Sequence, residues 1–356
     1  MRLRVSRPDR PGCTRVRRGR GFGYLDPAGA PLTDARERDR LRALAIPPAW
    51  ADVWICPWPG GHIQAMGTDE AGRRQYLYHE LFRERQEAAK HAHVLEVAAR
   101  LPRLRNRIEA DLAGRGLTRQ RVLACAARLL DLGFFRVGGT SYRRDHQAYG
   151  LTTLLREHAA CSRGEVCFDY PGKSSRRQTR AVVDPAAYAV VRALLRHHGD
   201  ERAQLFVYWE GGARHDVRAE DVNDYLRDAC GGDITAKDFR TWHATVLAAV
   251  ALAVSAGVAD ESPGRRRTAV SRAVREVSRY LGNTPAVCRA SYINPRVVEL
   301  FERGVTIRRA LDRLGQDVVF GRPATHGEVE RAVCRLLART AAGRAPGLVR
   351  AGSEAA

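Results

Sequence analysis

The sequence predicts an α+β fold, with a small β-rich N-terminal domain over residues 1–85 and a larger, mainly helical domain over residues 86–342. Short apolar segments separated by Pro- and Gly-containing turns predict the first domain. Longer segments with apolar residues at helical spacing predict the second. The length of 356 residues is sufficient for two domains that each bury a core. The Gly- and Ala-rich residues 343–356 are predicted to form a disordered tail.

The N-terminal domain is predicted to contain a short helix and several strands. The helix spans Asp34–Leu44 and ends before a Pro-Pro pair. Val53–Cys56 and His62–Met66 are predicted strands joined by a Pro-Gly-Gly turn, and Asp69–Arg74 forms the turn to a further strand over Gln75–Tyr78. The charged segment that follows Tyr78 is predicted to be helical and to contain the domain boundary.

The second domain is predicted to be helical apart from one β-hairpin. The hairpin consists of strands over Glu165–Tyr170 and Gln178–Val183, and its turn carries Lys173. Two further signals, Thr284-Pro285 and Asn294-Pro295, each combine a helix-capping residue with a proline at the first helical position. Tyr292 lies between these two predicted helix starts.

The charge of the chain favours a polyanionic partner. Lys and Arg number 60 against 40 acidic residues, which gives a net charge of +20. Basic side chains displace counterions condensed on nucleic acid, so a surplus of this size favours binding to double-stranded DNA. The alternative is a general preference for Arg, which the composition also indicates, because Lys90, Lys173 and Lys237 are the only lysines.

The sequence predicts no metal, no cofactor and no small-molecule substrate. The eight cysteines form no C-x-x-C pair, and the His residues form no H-E-x-x-H pattern. The cysteines are therefore predicted to be reduced and mostly buried, as in a cytoplasmic protein. No segment approaches the roughly 20 consecutive apolar residues that a membrane helix needs, and the N-terminus lacks the apolar stretch of a secretory signal.

Three residue types, Tyr, Arg and Lys, together have the chemistry needed to break a phosphodiester bond without a metal. A tyrosine can attack phosphorus and form a phosphotyrosyl linkage, guanidinium groups can stabilise the phosphate oxygens, and a lysine can protonate the leaving oxygen where arginine cannot. Lys173 stands out on its predicted turn, although a solvated turn lysine is the simpler interpretation. Lys237 and Arg240 form a K-x-x-R pair on one helix face, which a basic stripe that touches phosphate would also explain. A core role suits the adjacent His243 better than catalysis.

Four ordered segments make the chain resemble the type IB DNA topoisomerases, in the small poxvirus-like form found in bacteria. A further similarity runs from Ile46-Pro-Pro-Ala-Trp to Gln75-Tyr-Leu-Tyr-His, so that the resemblance covers roughly residues 20 to 305. The four segments are Phe134-Phe-Arg-Val-Gly-Gly-Thr-Ser-Tyr with Tyr149-Gly-Leu-Thr-Thr-Leu, Pro171-Gly-Lys-Ser, Thr235-Ala-Lys-Asp-Phe-Arg-Thr-Trp, and Leu281-Gly-Asn-Thr-Pro-Ala-Val-Cys-Arg-Ala-Ser-Tyr.

The resemblance implies a catalytic domain of the topoisomerase IB and tyrosine recombinase type, with five catalytic residues. Tyr292 matches the nucleophile that becomes linked to the DNA 3′ phosphate. Arg136 and Arg240 match the arginines that stabilise the transition state. Lys173 matches the general acid on the hairpin. Asn283 falls where viral relatives have His, which hydrogen-bonds a non-bridging oxygen; an amide can donate there but cannot act as an acid.

The resemblance also implies DNA contacts outside the catalytic group. Gln75, Tyr76 and Tyr78 match residues that meet the major groove, although an ordinary strand face would explain the tyrosines as well. The other matched or plausible contacts are Tyr142, Arg143, Arg144 and Lys237. Bacterial relatives tend to have a Gly after the first Ser of the Lys hairpin, where this sequence has Ser175, and this difference could alter the turn.

The implied protein is a cytoplasmic, nucleoid-associated DNA topoisomerase that acts as a monomer. Its two domains would close as a clamp around duplex DNA, and neither ATP nor a metal would be required. A tyrosine recombinase is the first alternative, although Lys237 replaces the His usual there and the first domain is β-rich. The second alternative is a non-enzymatic basic DNA-binding protein, which leaves the four ordered segments unexplained.

Overall fold

A computed structural model describes residues 2–133, 135–139, 147–173, 176–196, 200, 202–259, 262–312 and 325–338. The chain forms two compact units, Met1–Ala92 and His93–Ala356. Tyr142, Arg143, Arg144 and the tail over 343–356 lie outside the described residues, so the predictions made for them remain predictions.

The first unit is built on a five-stranded antiparallel sheet with strand order β2-β1-β3-β4-β5. The Asp34 carboxylate caps its helix by accepting a hydrogen bond from the Arg36 amide. A small core contains the fully buried Leu41, Ile55 and Ala65. The elements are β1 (Cys13–Arg18), β2 (Gly21–Leu25), α1 (Ala35–Ala43), β3 (Ala51–Ile55), β4 (Ile63–Thr68) and β5 (Arg74–Tyr78).

The second unit is mainly helical, and together with the N-terminal sheet it confirms the predicted fold class. The first helix begins in the N-terminal unit and continues through Pro102. The helices are α2 (Glu80–Leu112), α3 (Arg119–Gly133), α4 (Pro185–Arg196), α5 (Ala219–Cys230), α6 (Ala236–Ala259), α7 (Pro263–Leu281), α8 (Pro285–Ser291), α9 (Pro295–Glu302), α10 (Arg308–Leu311) and α11 (Glu328–Ala338).

Two small sheets accompany the helices of the second unit. Strands β6 (Ala159–Ser162), β7 (Glu165–Pro171) and β8 (Arg177–Val183) form a three-stranded antiparallel sheet that contains the predicted hairpin. Strands β9 (Val207–Glu210) and β10 (Ala213–Asp216) form a second hairpin. The sequence pattern did not predict β9 and β10, because segments of four residues are too short to show an alternation.

Helix α6 is the central core element of the second unit. Its residues Phe239, Trp242 and Ala244 are almost completely buried. By length and composition, the segment Ala236–Gly257 is apolar enough to cross a membrane. However, 72% of an apolar stretch of 18 residues within it is buried inside the protein. The apolar character of α6 is therefore explained by packing in the core.

Candidate active site

Tyr292 lies at the junction between two short helices, α8 and α9. The side chains of Thr284 and Asn294 cap the starts of these helices by accepting from the amides of Val287 and Arg296, at 3.3 and 3.0 Å. Each cap is followed by a proline in the first helical turn, as the sequence predicted. Two capped helix starts thus fix the backbone on both sides of the tyrosine, and its side chain is half-buried at the edge of the core.

The guanidinium of Arg240 lies beside Tyr292. Its guanidinium carbon lies 5.4 Å from the centroid of the Tyr292 ring. Only 4% of Arg240 is exposed, and one terminal nitrogen donates to the carbonyl oxygen of Leu281 at 2.8 Å. Helix α6 therefore holds this guanidinium against the end of α7, from which the chain turns towards Tyr292.

Arg136 and Asn283 are joined directly. An Arg136 terminal nitrogen donates to the side-chain oxygen of Asn283. Because a guanidinium can only donate, the atom that faces it must be the amide oxygen, and this fixes the orientation of the amide. The amide nitrogen of Asn283 is buried and has no hydrogen-bond partner among the residues described. The amide faces the Tyr292 phenol and helps to lower its pKa, and its nitrogen is a donor for an acceptor that enters the site.

The backbone at Arg136 is held by hydrogen bonds from the segment Tyr149–Leu154, which belongs to the same family-like motif. The carbonyl oxygens of Arg136 and Val137 accept from the amides of Leu151 and Thr152, both at 2.8 Å. Gly138 has a φ of 96°, and a Cβ added at Gly150 would lie 2.5 Å from the Gly138 backbone. The close approach of two backbones thus requires Gly at both positions.

The two arginines change the acid–base chemistry of the site. Burial alone would raise the pKa of Tyr292, but the charges of Arg240 and Arg136 outweigh it and lower the pKa below the usual value. Burial and the neighbouring Arg136 charge lower the pKa of Arg240 to about 10. Arg240 therefore remains a cation at neutral pH, and it favours the phenolate form of the tyrosine.

The Lys173 hairpin reaches the same part of the unit through its second strand. Lys173 is exposed at the end of the hairpin, and residues 174 and 175, on which the predicted change in the turn depends, lie outside the described part. Arg180 of β8 donates to the carbonyl oxygen of Tyr280 in α7 at 2.9 Å, and the Gln178 side chain lies against Gly282. The hairpin is thus anchored next to Asn283. Sequence reasoning did not identify Gln178 and Arg180 as residues of the site, because the alternating pattern of β8 predicts only that they lie in a strand.

The predicted groove-reading residues are divided between two faces of β5. Tyr76 and Tyr78 are 39% and 41% exposed, and their rings stack with centroids 6.0 Å apart. Gln75 lies on the same side as Leu77, which packs on the small core, and its amide donates to Asp69 at 2.8 Å. The two tyrosines therefore form an exposed aromatic surface that does not include Gln75.

Lys237 lies one turn before Arg240 on α6 but in a different environment, since Lys237 is exposed and Arg240 is buried.

The structure thus brings Tyr292, Arg240, Arg136 and Asn283 together. It places Lys237 at the surface and anchors the Lys173 hairpin nearby. His243 is 3% exposed, in agreement with the core position that the sequence favours.

Comparison with known proteins identifies related sequences over most of the chain. Residues 79–314 match the family described as eukaryotic DNA topoisomerase I, catalytic core, and residues 21–69 match the family described as bacterial DNA topoisomerase IB, N-terminal domain. The first match contains all the predicted catalytic residues, whereas Gln75, Tyr76 and Tyr78 fall between the two matches.

Viral proteins are also similar to this chain. DNA topoisomerase 1B of Acanthamoeba polyphaga mimivirus is 28% identical over 272 residues, which cover 75% of this chain and 80% of the viral protein. DNA topoisomerase I of monkeypox virus and DNA topoisomerase 1B of vaccinia virus are each 19% identical over 235 residues, or 66% of this chain and 71% of theirs.

Proposed function

Because the chain belongs to the type IB DNA topoisomerase family and is therefore a DNA topoisomerase, we propose that it relaxes supercoiled duplex DNA by cleaving one strand transiently through Tyr292. The observation that carries this proposal is the half-buried Tyr292 phenol beside the buried guanidinium of Arg240, at 5.4 Å from ring centroid to guanidinium carbon. A phenol in contact with a fixed cation is suited to attack a phosphate, which is itself drawn to that cation.

The first step is in-line attack by the Tyr292 oxygen on a backbone phosphorus. The phenol loses its proton to solvent as the new P–O bond forms, and the lowered pKa of Tyr292 makes this loss easier. The bond from phosphorus to the 5′ oxygen breaks. The product is a DNA strand whose 3′ phosphate is esterified to the tyrosine.

The non-bridging phosphate oxygens are stabilised by the groups that surround the phenol. Arg240 and Arg136 supply guanidinium donors, and the buried amide nitrogen of Asn283 supplies a neutral one. Since Arg136 holds the oxygen of that amide, Asn283 presents a donor to the phosphate. Its role is to bind the transition state, because an amide cannot transfer a proton.

The leaving 5′ oxygen takes its proton from Lys173. This amine lies on the hairpin whose second strand is anchored against α7, close to Asn283. The freed 5′ hydroxyl end then rotates about the intact strand, driven by torsional strain. In the reverse reaction the 5′ hydroxyl attacks the phosphotyrosine, returns its proton to the Lys173 amine and releases Tyr292.

The reaction conserves the energy of the broken bond in the phosphotyrosine, so it requires neither ATP nor a metal. Two guanidiniums supply the positive charge that the phosphate needs, and the sequence contains no Walker loop. We expect a monomer to act on one duplex in the cytoplasm. The exposed rings of Tyr76 and Tyr78 are proposed to contact the DNA.

The proposal is tested by incubating the protein with supercoiled plasmid in EDTA and stopping the reaction with SDS. The wild-type protein is expected to relax the plasmid and to leave protein covalently attached to a 3′ end. Tyr292→Phe is expected to bind DNA but to form no adduct, because it lacks the nucleophilic oxygen. Tyr280→Phe, at an exposed tyrosine of α7, serves as the matched control. Adduct formation by Tyr292→Phe would contradict the proposal, and strand exchange between two DNA sites would indicate a recombinase instead.

A further inference from the structure

A buried ionic network joins four helices of the second unit. Arg105 of α2 donates to both oxygens of Asp131 on α3, at 2.7 and 3.0 Å. The same guanidinium donates to both oxygens of Glu330 on α11, at 2.5 and 2.9 Å. Asp131 is 1% exposed and Glu330 is 7% exposed. One cation thus holds two carboxylates that come from opposite ends of the unit's sequence.

Helix α6 enters the network through two adjacent residues. The Trp242 indole N–H donates to Glu330 at 2.8 Å, and Nε2 of His243 lies 3.2 Å from an Asp131 oxygen. Nε2 of His326 lies 3.8 Å from that same oxygen, and its ring stacks on His243 with centroids 5.5 Å apart. The two α6 residues directly follow Arg240 and Thr241 in the sequence.

A metal ion is a poor occupant for this cluster. Asp131, His243 and His326 offer ligand atoms within 4.8 Å of one another. However, the Arg105 guanidinium already occupies both oxygens of Asp131 and would repel a metal cation. Although burial alone would raise the pKa of Asp131, the nearby basic groups hold it well below its usual range. The carboxylate is therefore ionised and paired.

A buried ion network contributes little net stability, because desolvation of the charges offsets most of their attraction. What such a network does provide is a fixed geometry, since each charged group has few positions in which all its hydrogen bonds are made. Here the fixed helices are α6, which carries Arg240, and α3, which precedes the segment that carries Arg136. Asp131 precedes Arg136 by five residues, and Phe135 between them packs edge-to-face on Phe168 at 5.0 Å.

We propose that this network sets the distance between Arg136 and Arg240. Within the network, Glu330, which lies C-terminal to Tyr292 in the sequence, is a positioning residue of the active site. The inference rests on the proposed function, in which both guanidiniums contact the phosphate. Glu330 touches no reacting atom. It acts through Arg105 and Asp131 on the end of α3, and through Trp242 on the helix that carries Arg240.

The test compares Glu330→Gln with Glu328→Gln on the same helix. The first substitution keeps the shape of the side chain but removes the charge that Arg105 requires. The second changes an exposed residue whose ion pairs with Arg331 and Arg335 lie at the surface. Displaced guanidiniums should slow single-turnover cleavage on the order of 10-fold or more, with DNA affinity unchanged. Glu328→Gln should cleave at the wild-type rate.

A second readout separates positioning from stability. Among the residues that the structure describes, Arg240 from α6 and Arg136 from the segment after α3 are the charged groups that act on Tyr292, and the neutral amide of Asn283 also faces it. Since the two cations lower the pKa of Tyr292, their displacement should raise it. NMR titration of tyrosine labelled with ¹³C at Cζ, assigned with Tyr292→Phe, measures this pKa without any DNA.

The outcomes are distinct. If folded Glu330→Gln keeps both the wild-type cleavage rate and the wild-type pKa of Tyr292, the positioning role is wrong. This holds even when the variant melts at a lower temperature, because a loss of stability alone is not a positioning effect. If Glu330→Gln does not fold, Trp242→Phe decides, because it removes one hydrogen bond to Glu330 and is expected to change both readouts in the same direction. If the wild-type protein forms no covalent adduct, the proposed function fails, while the titration still tests the geometry.

Discussion

The groups proposed to act with Tyr292 form two sets, an arginine side and a lysine side, which are built in different ways. On the arginine side, Arg240 and Arg136 are held by hydrogen bonds to Leu281 and Asn283, and Arg240 is almost completely buried. On the lysine side, Lys173 is exposed at the end of a hairpin that is anchored through Arg180. Stabilising a charged transition state requires donors at fixed positions, whereas protonating a leaving group requires a donor that reaches one oxygen. The difference predicts separate effects for substitutions on the two sides.

The largest effect is expected on the arginine side. Arg240→Gln should reduce single-turnover cleavage by about 1000-fold, the upper range for loss of one transition-state donor. It should also raise the pKa of Tyr292, because the phenolate loses the adjacent cation. The cleavage rate of the variant should therefore continue to rise at pH values where the wild-type rate has become constant.

The measurement is the pH profile of covalent adduct formation at saturating protein. Arg227→Gln, at an exposed arginine of α5 that pairs with Asp224, removes one positive charge from a different helix and serves as the control. A wild-type pH profile for Arg240→Gln would show that this guanidinium does not act on the phenol.

A smaller effect, of about 100-fold, is expected on the lysine side. Lys173→Ala removes the proposed proton donor to the leaving oxygen but leaves Arg240, Arg136 and Asn283 in place. A substrate whose leaving 5′ oxygen is replaced by sulfur needs little protonation, so cleavage of this substrate should be nearly equal in the variant and the wild type.

Arg177→Ala is the control for the hairpin, because Arg177 is exposed on β8 and pairs with Asp169 across the strands. If the sulfur substrate did not rescue Lys173→Ala, the lysine would act in binding or positioning and not as the acid. Equal defects in Lys173→Ala and Arg177→Ala would indicate a general contribution of the hairpin's charge.

The smallest effect is expected in the N-terminal unit. Tyr76→Ala and Tyr78→Ala should each weaken DNA affinity by about 10-fold, a loss typical of one aromatic contact with nucleic acid. The cleavage rate at saturating protein should not change. Gln75→Ala should have almost no effect on affinity, because Gln75 lies on the other face of β5 and is hydrogen-bonded to Asp69.

Fluorescence anisotropy with a labelled duplex measures these affinities. An affinity loss in Gln75→Ala as large as that in Tyr76→Ala would contradict the division of β5 into an exposed and an inward face.

Much of the fold could be predicted because its signals are local. The capping residues Asp34, Thr284 and Asn294 mark helix starts, and each accepts the expected backbone hydrogen bond. Helix α2 was harder to predict, because Pro102 usually ends a helix and here lies inside one. Tertiary packing along the helix outweighs the loss of one backbone hydrogen bond.

By itself, the sequence determined which residue types are available and in which order. These are one tyrosine between two capped helices, a rare lysine on a hairpin, and two arginines in the segments that resemble the family. Only the tertiary structure decided which of them meet. Arg240 is buried and contacts Tyr292, whereas Lys237, one turn away, is exposed. It also decided that Glu330 reaches Arg105 and Trp242. Contacts between residues far apart in sequence depend on how whole helices pack, and no local pattern records that packing.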